Sequence, residues 1–177
     1  MKKNTRELLL DSAFQTFYKQ GFQGANIATI LTDVGINKGS MYHFFKSKKE
    51  LGLAVVTERI ERNLVDKYNK ILKEKNSFQK LFDTLRAAPE TLPYGCPLNK
   101  FSQEMIYIDA EFKTTLSSTY DVFESLVIQI LEKENVTDRQ QKAQLIVATY
   151  EGALMVYHLN QNGEQFKDIL FELERSL

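Results

Sequence analysis

The stretch Ile30–Leu51 reads ILTDVGINKGSMYHFFKSKKEL, and it decides how the N-terminal part of this 177-residue chain folds. Gly35 divides the stretch and can adopt positive φ at little cost, which predicts a tight turn. Asn26 is a good N-cap for a short helix before the turn, and a second short helix is predicted after it, at about 38–45. Two short helices joined by a glycine turn are typical of a helix–turn–helix.

The second of these helices is predicted to have one buried face. Met41, Phe44 and Phe45 stand at positions i, i+3 and i+4, which lie on one side of a helix. We expect this apolar face to pack against the two helices that precede it.

The opposite face of the same helix is predicted to point outward, and its residue types suit contact with DNA. Lys38 attracts phosphate, and Gly39 lets the backbone approach a duplex closely. Ser40, Tyr42 and His43 carry short or rigid donors that can reach phosphates or base edges. Packing inside the protein is the alternative role for the two rings.

The charge of the chain is unevenly distributed, although its formal net value is zero. Residues 1–50 carry eight Lys and Arg against four acidic residues, a net charge of +4, and the rest of the chain carries −4. A basic segment that coincides with the predicted helix–turn–helix is what phosphate binding requires. A chance imbalance on a solvated face is the alternative interpretation.

Helical spacing of apolar residues continues on both sides of the motif. A first helix is predicted at 5–20 with Thr5 as its cap. Ser47 and Glu50 form a capping box for a fourth helix, which runs without a break to about Lys75.

The whole chain is predicted to be all-α, because no alternating strand pattern occurs. All three prolines lie within 89–97, which predicts a loop there. We expect two domains. The first is a three-helix DNA-binding domain over 1–50, with its helix–turn–helix at about 26–45, and the second is a helical domain over 51–177.

Composition excludes several classes of protein. One Cys and two His leave no disulfide and no multi-Cys zinc motif, so neither a metal nor a cofactor is expected. Charged residues interrupt every window of about 18 residues that could form an apolar membrane span. They also interrupt the apolar residues near the start of the chain, which could otherwise form the core of a signal peptide. We therefore expect no membrane span and no signal peptide, and a location in the cytoplasm.

The quoted stretch resembles the signature of the TetR (tetracycline-repressor-like) family, approximately I-A-x-x-A-G-V-S-K-G-[ST]-[LFI]-Y-x-[YH]-F-x-[SN]-K-[ED]-x-L. The resemblance covers about 5–55. It departs from the signature at Leu31 and Val34, which replace alanines, and at Asn37, which replaces Ser and is still a competent N-cap. It implies a homodimer that binds a double-stranded DNA operator, a helical C-terminal domain with a pocket for a small-molecule inducer, and repression of a nearby gene. The positions that inherit contacts to DNA are Asn26, Thr29, Asn37, Lys38, Gly39, Ser40, Tyr42, His43 and Lys48.

A homodimer also has a physical reason. One recognition helix reads only a few base pairs, so two must reach successive major grooves, about 34–36 Å apart. The apolar stripes at 116–131 and 143–157 are the candidates for a four-helix bundle between subunits, and internal core is their alternative role. The candidate interface residues are Tyr120, Val127, Leu131, Leu145, Gly152 and Val156.

The body of the chain is rich in aromatic residues, some of which we expect to line a pocket for a hydrophobic or aromatic inducer. The candidates are Phe82, Tyr94, Cys96, Phe101, Met105, Phe112, Tyr120, Phe123, Tyr150 and Tyr157. The segment Tyr94–Met105 resembles a segment of form G-C-[LP]-[LIV]-x-x-[LF]-x-x-E, which in one branch of the family opens the helix bordering the pocket.

Cys96 suggests a second way of sensing. It lies near a predicted helix start, where the helix dipole favours a thiolate, and Lys100 follows one turn later. These features suit a thiol that senses oxidants or electrophiles, whereas a small structural cysteine is the alternative.

The sequence therefore predicts a ligand-responsive DNA-binding regulator, most simply a repressor. A protein-binding adaptor that does not bind DNA is one alternative. An enzyme with a Cys96 nucleophile is disfavoured because it needs a base. His43 belongs to the DNA-facing helix, and His158 lies in an apolar stripe.

Overall fold

The computed structural model describes residues 4–177, and all regular structure within that range is helical, which confirms the all-α prediction. Lys2 and Lys3, which contribute to the predicted basic charge, lie outside the described residues. The helices are α1 (Thr5–Gln20), α2 (Ile27–Val34), α3 (Lys38–Tyr42), α4 (Lys48–Val55), α5 (Arg62–Leu72), α6 (Ser77–Arg86), α7 (Ala88–Thr91), α8 (Pro97–Met105), α9 (Ala110–Lys133), α10 (Arg139–Asn160) and α11 (Gly163–Arg175), with a π-helical segment, Val56–Glu61, between α4 and α5.

The chain forms two compact units, and their boundary differs from the predicted break at residue 50. The first unit combines the described residues up to Asn63 with Lys100–Thr119. The second combines Leu64–Asn99 with Tyr120–Leu177. A segment from the middle of the chain therefore completes the N-terminal unit, which apolar periodicity alone could not indicate.

The core of the first unit explains why that segment belongs to it. The ring of Phe22 lies 5.1 Å from that of Phe17 and 4.9 Å from that of Phe112, measured between centroids, and Phe101 packs beside them. Gly52 of α4 meets the same cluster so closely that a Cβ there would lie 2.4 Å from the Phe22 ring. Only glycine fits this approach.

Polar contacts hold the inserted segment as well. The ammonium of Lys100 donates to the carbonyl oxygen of Tyr18 at 2.9 Å, which joins α8 to the end of α1. The ammonium of Lys49 lies 2.7 Å from the Asp109 carboxylate and 2.9 Å from that of Glu111. The first unit is thus tied together by both apolar and ionic contacts.

The predicted long fourth helix is present and continuous from Lys48 to Leu72, but its middle turn is π-helical, a feature that the sequence did not indicate. The π segment is bound to α1 by ion pairs. Arg59 donates from Nε to Asp11 at 2.8 Å and from Nη2 to Glu7 at 2.7 Å, while Glu58 accepts two hydrogen bonds from the guanidinium of Arg6.

Two predicted local features are wrong in detail. Asn4, not Thr5, caps α1, because its side chain accepts a hydrogen bond from the backbone N–H of Glu7. The proline-containing segment is not wholly a loop, since Pro89 lies in the first turn of the short helix α7, where a missing N–H costs nothing.

The second unit has its own apolar core, formed mainly by α6, α9, α10 and α11. Val127 and Leu131 are completely buried in it, so they have no surface to offer another subunit. Their predicted place at a dimer interface is therefore wrong, and the alternative role, internal core, is the observed one. Arg86 of α6 reaches α11, where it lies 2.6 Å from the Glu174 carboxylate.

Candidate DNA-binding interface

Helix α2 begins and ends as its sequence predicts. The side chain of Asn26 accepts a hydrogen bond from the N–H of Ala28 at 2.8 Å, which satisfies one of the free donors at the helix start. Gly35 ends the helix in the left-handed conformation, with φ of +74°, and the N–H of Ile36 then bonds to the carbonyl oxygen of Leu31. The turn is therefore fixed by the backbone itself.

Helix α3 is positioned by a second asparagine cap. The side-chain oxygen of Asn37 accepts from the N–H of Ser40 at 2.8 Å and lies 3.2 Å from its hydroxyl group. Met41 and Phe45 are 1% and 2% exposed, so the predicted inner face packs into the core of the first unit.

Phe44 does not belong to that inner face, and this prediction is wrong. The helix ends at Tyr42, so the residues after it no longer follow helical spacing. The N–H groups of Phe44 and Phe45 both donate to the carbonyl oxygen of Met41. Because α3 ends in this tight turn, the Phe44 side chain is 39% exposed.

The outer face of α3 is open to solvent, as expected. Lys38, Gly39 and His43 are exposed, and the ring of Tyr42 is 47% exposed. The ammonium of Lys38 lies 5.9 Å from the centroid of the Tyr42 ring, so a cation and an aromatic donor share one surface. We call Lys38, Gly39, Tyr42 and His43 the outer face of α3.

Two further predicted contact residues lie beside this face. Thr29 is exposed on α2, and Ser40 is half-buried at the start of α3. Gly39 has a second, local role, because a Cβ there would lie 3.3 Å from the capping oxygen of Asn37. A larger residue would therefore crowd the cap.

Lys48 has a structural role that the sequence pattern does not reveal. Its ammonium donates to the carbonyl oxygens of Gln23 and Ala25, at 3.2 and 2.6 Å, and lies 4.9 Å from the centroid of the Phe22 ring. Partial burial lowers the pKa of this amine. Lys48 thus holds the loop that leads into α2, and its contact with DNA stays a prediction.

The start of α4 carries the predicted cap, in a modified form. The hydroxyl oxygen of Ser47 accepts from the N–H of Glu50 at 3.0 Å. The carboxylate of Glu50 accepts from the N–H of Lys46, at 2.7 Å, instead of from the N–H of the capping serine. The chain direction immediately after α3 is therefore fixed by hydrogen bonds on both sides of the cap.

The predicted pocket residues divide between the two units. Phe101, Met105 and Phe112 are core residues of the first unit. The others belong to the second unit, where Phe82, Phe123 and Tyr150 are buried, Tyr120, Tyr157 and Cys96 are half-buried, and Tyr94 is exposed. The ten residues therefore do not form one group within either unit.

At Cys96 the predicted effect of the helix start is present but outweighed, because the N–H groups of Leu98 and Asn99 favour the thiolate less than burial and Glu151 oppose it. Loss of hydration, together with the neighbouring Glu151 carboxyl group, raises the pKa of the Cys96 thiol well above its usual value. The expected counter-charge is engaged elsewhere, because the ammonium of Lys100 donates to the backbone of Tyr18. The premise of a stabilised thiolate is wrong.

One apolar face of α10 is uncovered in the second unit. Leu145, Met155 and Leu159 are 48%, 47% and 78% exposed, and Ala148 and Gly152 between them are exposed as well. These five residues are spaced by three and four positions alternately, the heptad pattern of a helix–helix seam. We call them the α10 seam.

The α10 seam includes two of the predicted interface residues, Leu145 and Gly152. Tyr120 and Val156 are half-buried. Met155 and Leu159 belong to the same exposed row but are not among the predicted interface residues, although the alternating spacing of the sequence already contained the signal for both.

Within residues 4–177 no three His, Cys, Asp or Glu side chains are grouped so that they could hold a metal ion. In the same range no helix has the length and apolar character needed to cross a membrane.

Two short helices are each capped by an asparagine side chain, are joined by a turn at Gly35 and expose a basic and aromatic face. This arrangement defines a helix–turn–helix protein. Two family models match the chain: "Bacterial regulatory proteins, tetR family" over residues 9–55, and "Transcriptional regulator LmrA/YxaF-like, C-terminal domain" over residues 75–170. The chain belongs to the TetR family of transcriptional regulators, in its LmrA/YxaF-like group.

Individual relatives agree with this assignment. An uncharacterized HTH-type transcriptional regulator in the lacX 3′ region of Lactococcus lactis is 27% identical, over 90% of this chain and 86% of its own length. The HTH-type transcriptional repressor NemR of Escherichia coli is 25% identical, over 94% and 90%.

Solved structures show the same fold. The reduced form of E. coli NemR matches with a TM-score of 0.82 and 23% identity, over 97% of this chain and 96% of the other. A TetR regulator from Legionella pneumophila matches with a TM-score of 0.86 and 18% identity, over 99% and 98%.

Proposed function

We propose that the chain is a repressor that binds a pseudo-palindromic operator as a homodimer in the cytoplasm and is released by a small-molecule inducer. The observation that carries the proposal is the outer face of α3, where Lys38, Gly39, Tyr42 and His43 are all exposed on a helix held by an asparagine cap. Buried Met41 and Phe45 fix the rotation of this helix, so the exposed side chains have one defined direction.

The predicted contacts divide by chemistry. Lys38 supplies charge for phosphates, which positions the protein without reading sequence. Tyr42 and His43 supply donors that reach base edges or phosphates. The caps Asn26 and Asn37 already accept hydrogen bonds from the protein backbone, so their contribution to DNA binding is to hold the helix starts.

The α10 seam supports a homodimer. An apolar row at heptad spacing is costly to leave in water, and a second copy of the same row covers it when two helices pack as a left-handed pair. Gly152 lies in open space within its own protomer, so it offers a place where a partner backbone can approach closely. Two copies of α3 are then present in one particle, as the reading of two half-sites requires.

Sensing through Cys96 thiolate chemistry is the weaker alternative. A raised thiol pKa leaves the thiol protonated at neutral pH, and the protonated form is a poor nucleophile. We therefore assign the inducer a non-covalent site in the second unit.

Selection of bound duplexes from a random library tests the proposal. Purified protein should enrich an inverted repeat, and its affinity for the enriched duplex should fall steeply as salt rises. Lys38→Ala should weaken binding and reduce the slope of log affinity against log salt by about 2, because each dimer loses two phosphate contacts. Lys113→Ala, which removes an exposed charge on α9, is the matched control and should leave the slope unchanged. Equal affinity for all duplexes would contradict the proposal.

A further inference from the structure

A polar cluster around a buried carboxyl group lies in the second unit where α8 begins. The side-chain amide of Asn99 donates to Oε2 of Glu151 at 3.0 Å. The thiol of Cys96 interacts with the same carboxyl group. Glu151 lies on α10 and is only 7% exposed, so this carboxyl group has been removed from water.

One oxygen of that carboxyl group is left unsatisfied. Oε1 of Glu151 is buried and has no hydrogen-bond partner. Buried carboxyl oxygens are normally hydrogen-bonded, because burial removes their hydrogen bonds to water. An oxygen that gains no protein partner in exchange raises the free energy of the folded state. Burial raises the pKa of Glu151, in keeping with a carboxyl group whose charge is not compensated.

A second buried polar atom on α10 is also without a partner. His158 stands seven residues after Glu151, two helical turns along the same side and about 10 Å away along the axis. Its Nε2 is buried and makes no hydrogen bond, and its ring lies beside Gly95, just before Cys96. Two buried polar atoms on one side of α10 are thus left without hydrogen-bond partners.

An aromatic ring of the second unit lies near the carboxyl group, because burial raises the pKa of Tyr68 and the charges of Cys96 and Glu151 raise it further. Tyr150 precedes Glu151 directly, and its ring lies edge-on to that of Phe123, at 6.4 Å between centroids. Phe123 in turn meets Tyr68 at 5.1 Å. Aromatic surface with a few polar groups is the usual composition of a site for a small organic molecule.

We propose that Glu151 Oε1 is the anchor for the inducer, and that the inducer is a lipophilic amine, bound as its ammonium ion with its apolar body among aromatic side chains of the second unit. An ammonium N–H donates to the unpartnered oxygen and compensates the charge of the carboxylate, which no neutral hydroxyl compound can do. The inference rests on the proposed function, because it takes the second unit to be the inducer-binding part.

Calorimetric titration of the purified full-length protein tests this inference. The probes are 2-(2-naphthyl)ethylamine and the neutral 2-(2-naphthyl)ethanol, which have nearly the same shape. The amine should bind wild-type protein at least tenfold more tightly than the alcohol. Equal binding of the two compounds, or no binding of the amine, overturns the inference without any variant.

Glu151→Gln then tests the anchor itself. It should reduce affinity for the amine at least tenfold and leave affinity for the alcohol within twofold, whereas Glu132→Gln, at an exposed carboxyl group of α9, should change neither. Circular dichroism checks that both variants are folded. Unchanged affinity of the Glu151 variant for the amine overturns the anchor. Operator binding is measured on the same preparations, so a failed anchor with intact DNA binding is distinguished from failure of the proposed function.

Discussion

Replacing Lys48 with alanine should destabilise the first unit, even though the residue belongs to a run of lysines that resembles an ordinary solvated face. The ammonium donates to the carbonyl oxygens of Gln23 and Ala25 and lies over the ring of Phe22. Hydrogen bonds to a charged group contribute about 1.5–3 kcal/mol each, and a cation–π contact at a partly exposed site about 0.5–1 kcal/mol.

Solvent reduces these contributions, because Lys48 is only half-buried. We therefore expect Lys48→Ala to lower the free energy of unfolding by about 2 kcal/mol, which corresponds to roughly 4–8 °C in Tm for a chain of this size. Urea denaturation followed by circular dichroism, at one fixed protein concentration, measures the change. Lys46→Ala, at an exposed neighbouring lysine, is the control and should change stability by less than about 0.5 kcal/mol. Equal stability of the Lys48 variant and wild type would show that these contacts do not stabilise the first unit.

Three further predictions follow from the packing and the ion pairs. Gly52→Ala should lower the free energy of unfolding by about 1–3 kcal/mol, because the new methyl group would overlap the Phe22 ring, and urea denaturation measures it. The Arg6 guanidinium lowers the pKa of Glu58, so this pair stabilises the fold at neutral pH, and the contribution disappears as the pH falls through the range in which carboxyl groups titrate. Glu58→Gln should therefore lower stability at pH 7 and flatten the loss of stability on acidification; an unchanged acid transition would contradict this. Met155→Glu should place a charge in the α10 seam and shift the protein from dimer to monomer in sedimentation analysis, whereas a dimer as stable as that of wild type would exclude the seam as the interface.

The local parts of the fold and of the DNA-binding surface follow from sequence because their causes are local. The two asparagine caps and the turn at Gly35 depend on residues within five positions of one another, and the structure confirms all three. Phe44 is a residue for which reasoning from helical spacing fails. Its spacing placed it on the buried side of α3, but the helix ends at Tyr42, and periodicity does not determine where a short helix ends.

Long-range features could not be obtained in the same way. Lys100–Thr119 belongs to the first unit because Phe112 meets Phe22, two residues 90 positions apart that no local pattern connects. Cys96 shows the same limit for electrostatics. Its predicted thiolate depended on neighbours in sequence, whereas its pKa is raised by burial in the folded chain and then by Glu151, from a helix far along the chain.

The central claim is that the outer face of α3 binds the operator. Fluorescence anisotropy with a duplex enriched by selection tests it most directly, through Tyr42→Ala and His43→Ala in comparison with Tyr107→Ala, at an exposed tyrosine outside α2 and α3. Affinity should fall about tenfold or more for each of the first two variants, with folding unchanged, and should not fall for the third. Wild-type affinity in both α3 variants would contradict the claim.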